Sequence, residues 1–354
     1  MKKITFFIYN MYTDGGTERV VSLLANELVK KYKVDIISLY KTAEVPFYNL
    51  DSRISLTYIL EKELNPIRIY FPYLQYKLRK VLKNYETDTF ISAGMKYIGL
   101  NIFMRKKAKY IAWEHYNCVN TKVGSITWYG RKLAAKYADK IVVLTEKDKQ
   151  MNINLFRTDK KIVQIYNPMD TQTLSEKYDV DSKKIVSSGR LSQVKGYDFL
   201  MDIAEKVFSK HSDWEWHIYG EGPERQTLEN LINQKGLQKN VKLMGRTNKM
   251  KELYKEYSMF VMTSRAEGFA MVNIEAHLAK LPIISFNCNC GPDEIIKDGI
   301  NGYLVECFDL DTMADKINYL IENPDVRKDF SENTAIDKDK LKLENIMKKW
   351  EEII

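Results

Sequence analysis

The chain has 354 residues, 45% of them apolar and 29% charged, which is enough for two folded domains of ordinary size and too apolar for a disordered chain. No run of ~18 or more uncharged apolar residues occurs, so no spanning helix is expected; the four cysteines, Cys118, Cys288, Cys290 and Cys307, follow neither a zinc nor a CxxC spacing and read as reduced and structural. The net charge of +8 is unevenly spread: residues 1–165 carry 29 Lys and Arg against 15 Asp and Glu, and the rest 26 against 32, so the first half is expected to face something anionic.

The first apolar run, Ile4–Tyr9, follows two lysines but has no small-residue cleavage site after it, and is predicted to be a buried strand, not a leader. A glycine turn, Asp14-Gly15-Gly16-Thr17, opens a helix predicted over Thr17–Tyr32, with Val20, Val21, Leu24, Leu28 and Val29 on one face. Further strands are predicted at Val34–Tyr40, Thr89–Ser92, Tyr110–Trp113, Ile141–Leu144 and Ile162–Tyr166. Glu114-His115 follows directly on the strand ending at Trp113. Pro66–Asn84 and Asn101–Lys109 interleave aromatic with basic residues. They are expected to adsorb to an anionic leaflet, with Tyr70, Phe71 or Phe103 reaching the headgroup boundary.

Asn167-Pro168 breaks the pattern, giving a first domain over 1–167 and a linker over 168–183. The scheme then repeats over 184–336, with strands at Lys184–Ser188, Glu215–Tyr219, Val241–Met244, Phe260–Thr263, Pro282–Phe286 and Tyr303–Val305. Helices are predicted at Phe199–Ser209, Glu224–Gln234 and Val272–Lys280. The last segment, Asp337–Ile354, carries Leu341, Ile346, Trp350 and Ile353 as an apolar stripe suited to packing back on the first domain. Strand–helix alternation throughout implies two parallel sheets of α/β type covered by helices.

Ligands of open parallel sheets gather at the carboxyl ends of strands, and every group with chemistry here occupies such a place. Gly189-Arg190 and Lys195-Gly196 set two cations around a tight turn, which suits a diphosphate. Glu267 stands beside Phe269, Ala270, Met271 and Val272, whose amides open the next helix, and Glu275 lies inside that helix; carboxylates suit sugar hydroxyls. Gly220-Glu-Gly222-Pro-Glu-Arg225 has arginine where G-x-G-x-x-G needs its last glycine, which argues against a nicotinamide dinucleotide.

This ordered set, from Gly15-Gly16-Thr17-Glu18-Arg19 through His115, Asn167-Pro168, Gly189-Arg190 and Lys195-Gly196 to Glu267/Glu275 and the terminal helix, resembles the retaining glycosyltransferases of family 4. The Phe286–Ile296 stretch is similar to members that build bacterial surface polysaccharides and lipid-linked glycans. The resemblance implies a GT-B fold of two Rossmann-like, doubly wound domains facing a cleft, 1–167 for the acceptor and 184–336 for the nucleotide-sugar donor, the last helix crossing back to the first. It implies transfer of a hexose or N-acetylhexosamine from a UDP-sugar to a glycan acceptor, lipid-linked; with the basic surface of the first half, the enzyme is expected to be cytoplasmic and peripheral to the inner face of the cell membrane.

By the same resemblance Arg190 and Lys195 bind the donor diphosphate in place of a metal, so neither cofactor nor metal ion is expected. Glu275 takes the ribose; Glu267, with the Phe269–Val272 amides, takes the hexose. Gly15 and Gly16 approach the phosphate, His115 the sugar, and Arg246 the base. On these roles, loss of Glu267 should spare affinity for free UDP. Other enzymes of the fold, a UDP-sugar epimerase or a sugar phosphorylase, stay open as alternatives. So does a basic nucleic-acid-binding module, although no recognised motif for one is present and no nucleic-acid partner is expected.

Overall fold

The computed structural model describes residues 1–119, 121–169, 178–334 and 338–354, with only the backbone of Lys338. The chain divides into two compact units, Met1–Asp170 with Lys340–Ile354, and Thr171–Asp339.

The first unit is built on seven strands: β1 (Lys3–Asn10), β2 (Lys33–Tyr40), β3 (Ser55–Leu60), β4 (Thr89–Ala93), β5 (Lys109–Trp113), β6 (Lys140–Val143) and β7 (Ile162–Gln164). Their order is β3-β2-β1-β4-β5-β6-β7, and all are parallel. Six of them are the apolar runs read from sequence. The exception, β3, is an edge strand with exposed and half-exposed positions, so it has no continuous apolar run to betray it. The helix after β1 covers Gly16–Leu28 and ends four residues before the predicted Tyr32, whose amide bonds back to the Leu28 carbonyl at 2.9 Å. The Ile67–Val81 helix buries Ile67, Leu74 and Leu78 in a core shared with Phe7, Ile37 and Phe90.

The second unit has six parallel strands: β8 (Lys184–Ser188), β9 (Glu215–Tyr219), β10 (Val241–Gly245), β11 (Met259–Met262), β12 (Ile283–Phe286) and β13 (Gly302–Val305). Their order is β10-β9-β8-β11-β12-β13. Each sheet grows outward from its first strand on one side and then reverses to the other. The reversal falls between β1 and β4 in the first sheet and between β8 and β11 in the second. At such a point the loops diverge and leave a crevice outside the carboxyl ends of the strands.

The C-terminal segment is two helices, Lys338–Leu341 and Leu343–Ile353, separated by extended backbone at Lys342. The second lies on the first unit. Trp350 is fully buried, its ring 4.8 Å from that of Trp113 at the end of β5; Lys349 Nζ reaches Gln164 Oε1 at 3.2 Å, and Lys31 pairs with Glu351 at 2.7 Å. Of the expected linker, residues 170–177 lie outside the described residues. Its later part belongs to the second unit, where the Tyr178 hydroxyl donates to the Ser258 carbonyl and the Ser182 hydroxyl to that of Glu256, each at 2.7 Å.

Candidate active site

At the reversal in the second sheet, β8 leads through Gly189 and Arg190 to a 3₁₀ turn, Gln193–Lys195, and then to Gly196, which opens the Tyr197–Phe208 helix. Gly196 is left-handed (φ +66°), and a Cβ there would stand 2.1 Å from the Thr263 carbonyl oxygen just past β11. Only glycine allows these two loops to close on one another. Their approach brings Lys195 Nζ to 2.7 Å from Glu267 Oε1, with the side chains 21% and 10% exposed. Two residues expected to serve opposite ends of a ligand therefore hold each other. Arg190 is exposed and makes no ion pair among the described residues.

Glu275, buried in the Met271–Leu278 helix, accepts a hydrogen bond from the Tyr254 hydroxyl at 3.3 Å, and that hydroxyl lies 3.3 Å from Ser188 Oγ at the end of β8. A fully buried phenol thus ties the carboxylate to the end of β8, just before the Gly189–Gly196 turn. Tyr254 has no sequence signal, because its partners lie 21 and 66 residues away. Phe269 and Ala270 are buried and Met271 and Val272 half-buried; no side chain caps the helix that they open. Arg246 follows β10 and is exposed. Burial, with the Glu267 charge as the next cause, pushes the Cys288 thiol up to about 12, which keeps it a neutral wall beside the Lys195–Glu267 pair.

Gly15, Gly16 and His115 belong to the first unit. Gly15 is the extended N-cap of its helix, with the half-turned-back carboxylate of Glu18 against it: a Cβ at Gly15 would meet Glu18 Oε2 at 2.1 Å, and burial raises that carboxyl above its ordinary value. The His115 ring lies tilted against that of Trp113, with centroids 4.5 Å apart and planes 46° from parallel. The residue keeps partial exposure, but Nε2 is buried without a hydrogen-bond partner. Burial pushes the imidazole down to about 3, so it is neutral at physiological pH.

The preceding residue, Glu114, holds the loop in place. One oxygen accepts the amides of His115 and Tyr116, both at 3.1 Å, and the other accepts Arg131 Nε at 2.7 Å. Arg131 continues to the Asn117 carbonyl at 2.9 Å. Both side chains of this ion pair are 1% exposed, and burial raises the Glu114 carboxyl while the guanidinium opposes the rise. Arg131 lies in a helix, Ile126–Tyr137, that the sequence reading does not anticipate.

The basic surface takes a different form from the one expected. On the Ile67–Val81 helix Ile69, Tyr73 and Tyr76 are exposed at positions that share one face with Lys80, and Tyr70 stands at its margin. Phe71 and Phe103 instead pack against the first unit's core, and Arg79 lies 4.6 Å over the Phe103 ring. Among the described residues no helix is long and apolar enough to cross a membrane, and no three His, Cys, Asp or Glu side chains gather as a metal cage.

Two family descriptions match the chain: Glycosyltransferase Family 4 over residues 14–173, and Glycosyl transferases group 1 over residues 170–337. An uncharacterised glycosyltransferase of Haemophilus influenzae is 32% identical over 363 residues, covering 100% of both chains. The chain belongs to the family 4 glycosyltransferases. This glycosyltransferase is also 27% identical, over 365 residues and 100% of both chains, to the amylovoran biosynthesis glycosyltransferase AmsD of Erwinia amylovora. Its fold is that of a Staphylococcus aureus TarM variant solved with fondaparinux, α-GlcNAc-glycerol and UDP. The two superpose with a TM-score of 0.86 over 100% of this chain and 99% of the other, at 18% identity, which makes the fold GT-B.

Proposed function

We propose that this glycosyltransferase moves a hexose or N-acetylhexosamine, with retention and without a metal ion, from a UDP-sugar to a glycan hydroxyl in bacterial surface polysaccharide or glycoconjugate synthesis. The observation that carries the reading is the Lys195–Glu267 pair at the second sheet's reversal, with Arg190 exposed on the same turn. Cleavage at the anomeric carbon leaves negative charge on the diphosphate, and cations fixed beforehand stabilise that charge without a divalent ion. Glu267 and the amides of Phe269 to Val272 offer an acceptor and donors to the hexose, while Glu275, steadied by Tyr254, takes the ribose hydroxyls. His115 enters as a neutral hydrogen-bonding group, not a cation. UDP in the TarM complex and the role in AmsD's name favour the donor and the pathway class.

The acceptor is lipid-linked on this reading, and the enzyme is cytoplasmic and rests on the inner membrane face through the exposed stripe of the Ile67–Val81 helix. A thermal-shift and hydrolysis screen of UDP-, GDP- and ADP-sugars, with a chelator present, tests the donor assignment. UDP-sugars should be selected with chelator present, and Arg190→Ala or Lys195→Ala should each cut turnover by 10²-fold or more, about 2.7 kcal/mol of barrier. Near-normal turnover by both variants would sink the assignment.

A further inference from the structure

The turn that carries Lys195 runs directly into a helix whose first residue, Tyr197, is 5% exposed, its ring in the core that the second unit builds from Ile185, Leu191 and Leu200. The hydroxyl lies against Gly189: a Cβ placed on that glycine would stand 3.1 Å from it and 3.4 Å from Lys195 Cε. The phenol and the lysine stem therefore flank one point of the loop. Thr263 Oγ1 donates to the carbonyls of Lys195 at 3.3 Å and Gly196 at 3.0 Å, which fixes the backbone between the two side chains. Burial first, then the Glu267 charge, raises the phenol above its ordinary value, so it is a protonated donor at physiological pH with Glu267 in its electrostatic reach. Among the described residues the hydroxyl makes no hydrogen bond.

We infer that Tyr197 is a positioning residue for the donor site: when the diphosphate draws Lys195 from Glu267, the Tyr197 hydroxyl donates to the Glu267 carboxylate in its place. The inference rests on the donor reading of Lys195 given above. In the resting site the charge of Glu267, 10% exposed, is answered by Lys195 at 2.7 Å. Taking such a counter-charge from a shielded carboxylate opposes binding, unless a donor already at hand takes the vacated oxygen. A phenol held on a fixed turn does this with no movement of the backbone, and a hydrogen bond to an ionised acceptor is of the stronger kind. The exchange keeps Glu267 ionised and in place for the hexose. The Cys288 thiol also feels the Glu267 charge, but S–H is a weak donor. Phenylalanine would fill the same core position as well, so packing alone gives no reason for the hydroxyl.

The test is a double-mutant cycle on the full chain, with UDP affinity read by calorimetry and folding by the urea midpoint. Tyr197→Phe keeps the ring and should keep the wild-type midpoint, because the hydroxyl makes no bond in the resting site. It should nevertheless bind UDP about 10-fold more weakly. In the Glu267→Gln background, where no carboxylate charge has to be answered, the same substitution should change UDP affinity by less than about 2-fold. A tyrosine of purely structural use would give equal losses in both backgrounds. That result, or wild-type UDP affinity in Tyr197→Phe, would overturn the inference. Lys195→Ala separates it from the reading beneath: unchanged UDP affinity in that variant would remove the donor assignment itself and the exchange with it. An exchange that fails alone would leave Lys195→Ala impaired and Tyr197→Phe normal.

Discussion

On the proposed donor assignment, a diphosphate arriving at Lys195 meets a cation already engaged, because Glu267 lies 2.7 Å away and both side chains are largely shielded from water. The diphosphate has to share or displace that carboxylate while being repelled by it, and at this range the opposing charges interact by several kcal/mol even with an effective dielectric of ~20. With Lys195 engaged in this way, a second outcome stands beside the expectation that removing Glu267 spares UDP affinity. Glu267→Gln should bind free UDP roughly 3- to 10-fold tighter than the wild type, a gain of about 0.7–1.4 kcal/mol, while transferring sugar more slowly. Calorimetry decides it; equal or weaker UDP binding would show that the pair does not compete with the nucleotide. His115 carries a pH signature of its own. Its folded value, about 3, lies below the ordinary ~6.5 of histidine, so its contribution to stability is complete above ~6.5 and is lost as pH falls toward 3. Between pH 7 and 5, urea-derived stability of His115→Asn should fall less steeply than that of wild type, by up to about 1.4 kcal/mol per pH unit below 6.5. Parallel curves would mean that the imidazole titrates normally.

The Ile67–Val81 helix shows how an element sorts residues that look alike in sequence. Its apolar positions divide between Leu74 and Leu78, which are buried in the core, and Ile69, Tyr73 and Tyr76, which face solvent beside Lys80. A helix that needed only to cover its sheet would have no use for the second set. Replacing Lys77, Arg79, Lys80 and Lys83 by serine should weaken binding to phosphatidylglycerol vesicles more than 100-fold, at ~1 kcal/mol per cation, and leave UDP affinity unchanged. Flotation of the wild type should also fall steeply as salt shortens the ~8 Å screening length of physiological buffer. A wild type that ignores such vesicles at low salt would point to a soluble acceptor. The glycosyltransferase assignment does not depend on that result.

Across the whole molecule, the chain's last residues complete its first unit. Trp350 packs edge-on against Trp113, and Trp113 in turn carries the His115 ring, so the terminal helix backs His115, a proposed site residue 235 positions earlier in the sequence. Trp350→Ala should cost about 3–5 kcal/mol, the usual range for a large aromatic truncated in a packed core. The loss should fall on the first unit alone: its unfolding transition should move to lower urea while UDP binding by the second unit persists. Unchanged urea transitions would show that the helix is dispensable.

What the sequence by itself determined was local in origin. Buried parallel strands are continuous apolar runs and helices repeat every 3.6 residues, so two α/β halves, the charge asymmetry, the glycine turns with Arg190 and Lys195 and the carboxylates Glu267 and Glu275 could all be read along the chain. The edge strand β3 escaped because its exposed positions break the apolar run, and Phe71 and Phe103 were misplaced because an aromatic residue looks the same whether it faces core or solvent. Only the tertiary structure decided the pairings: Lys195 with Glu267 across 72 residues, Tyr254 with Glu275 and Ser188, Arg131 with Glu114, and Tyr9 with Tyr97 at the first reversal. Each depends on strand order. Which strands lie side by side is set by the packing of whole layers, and the residues at their ends carry no local mark of the partner they will meet.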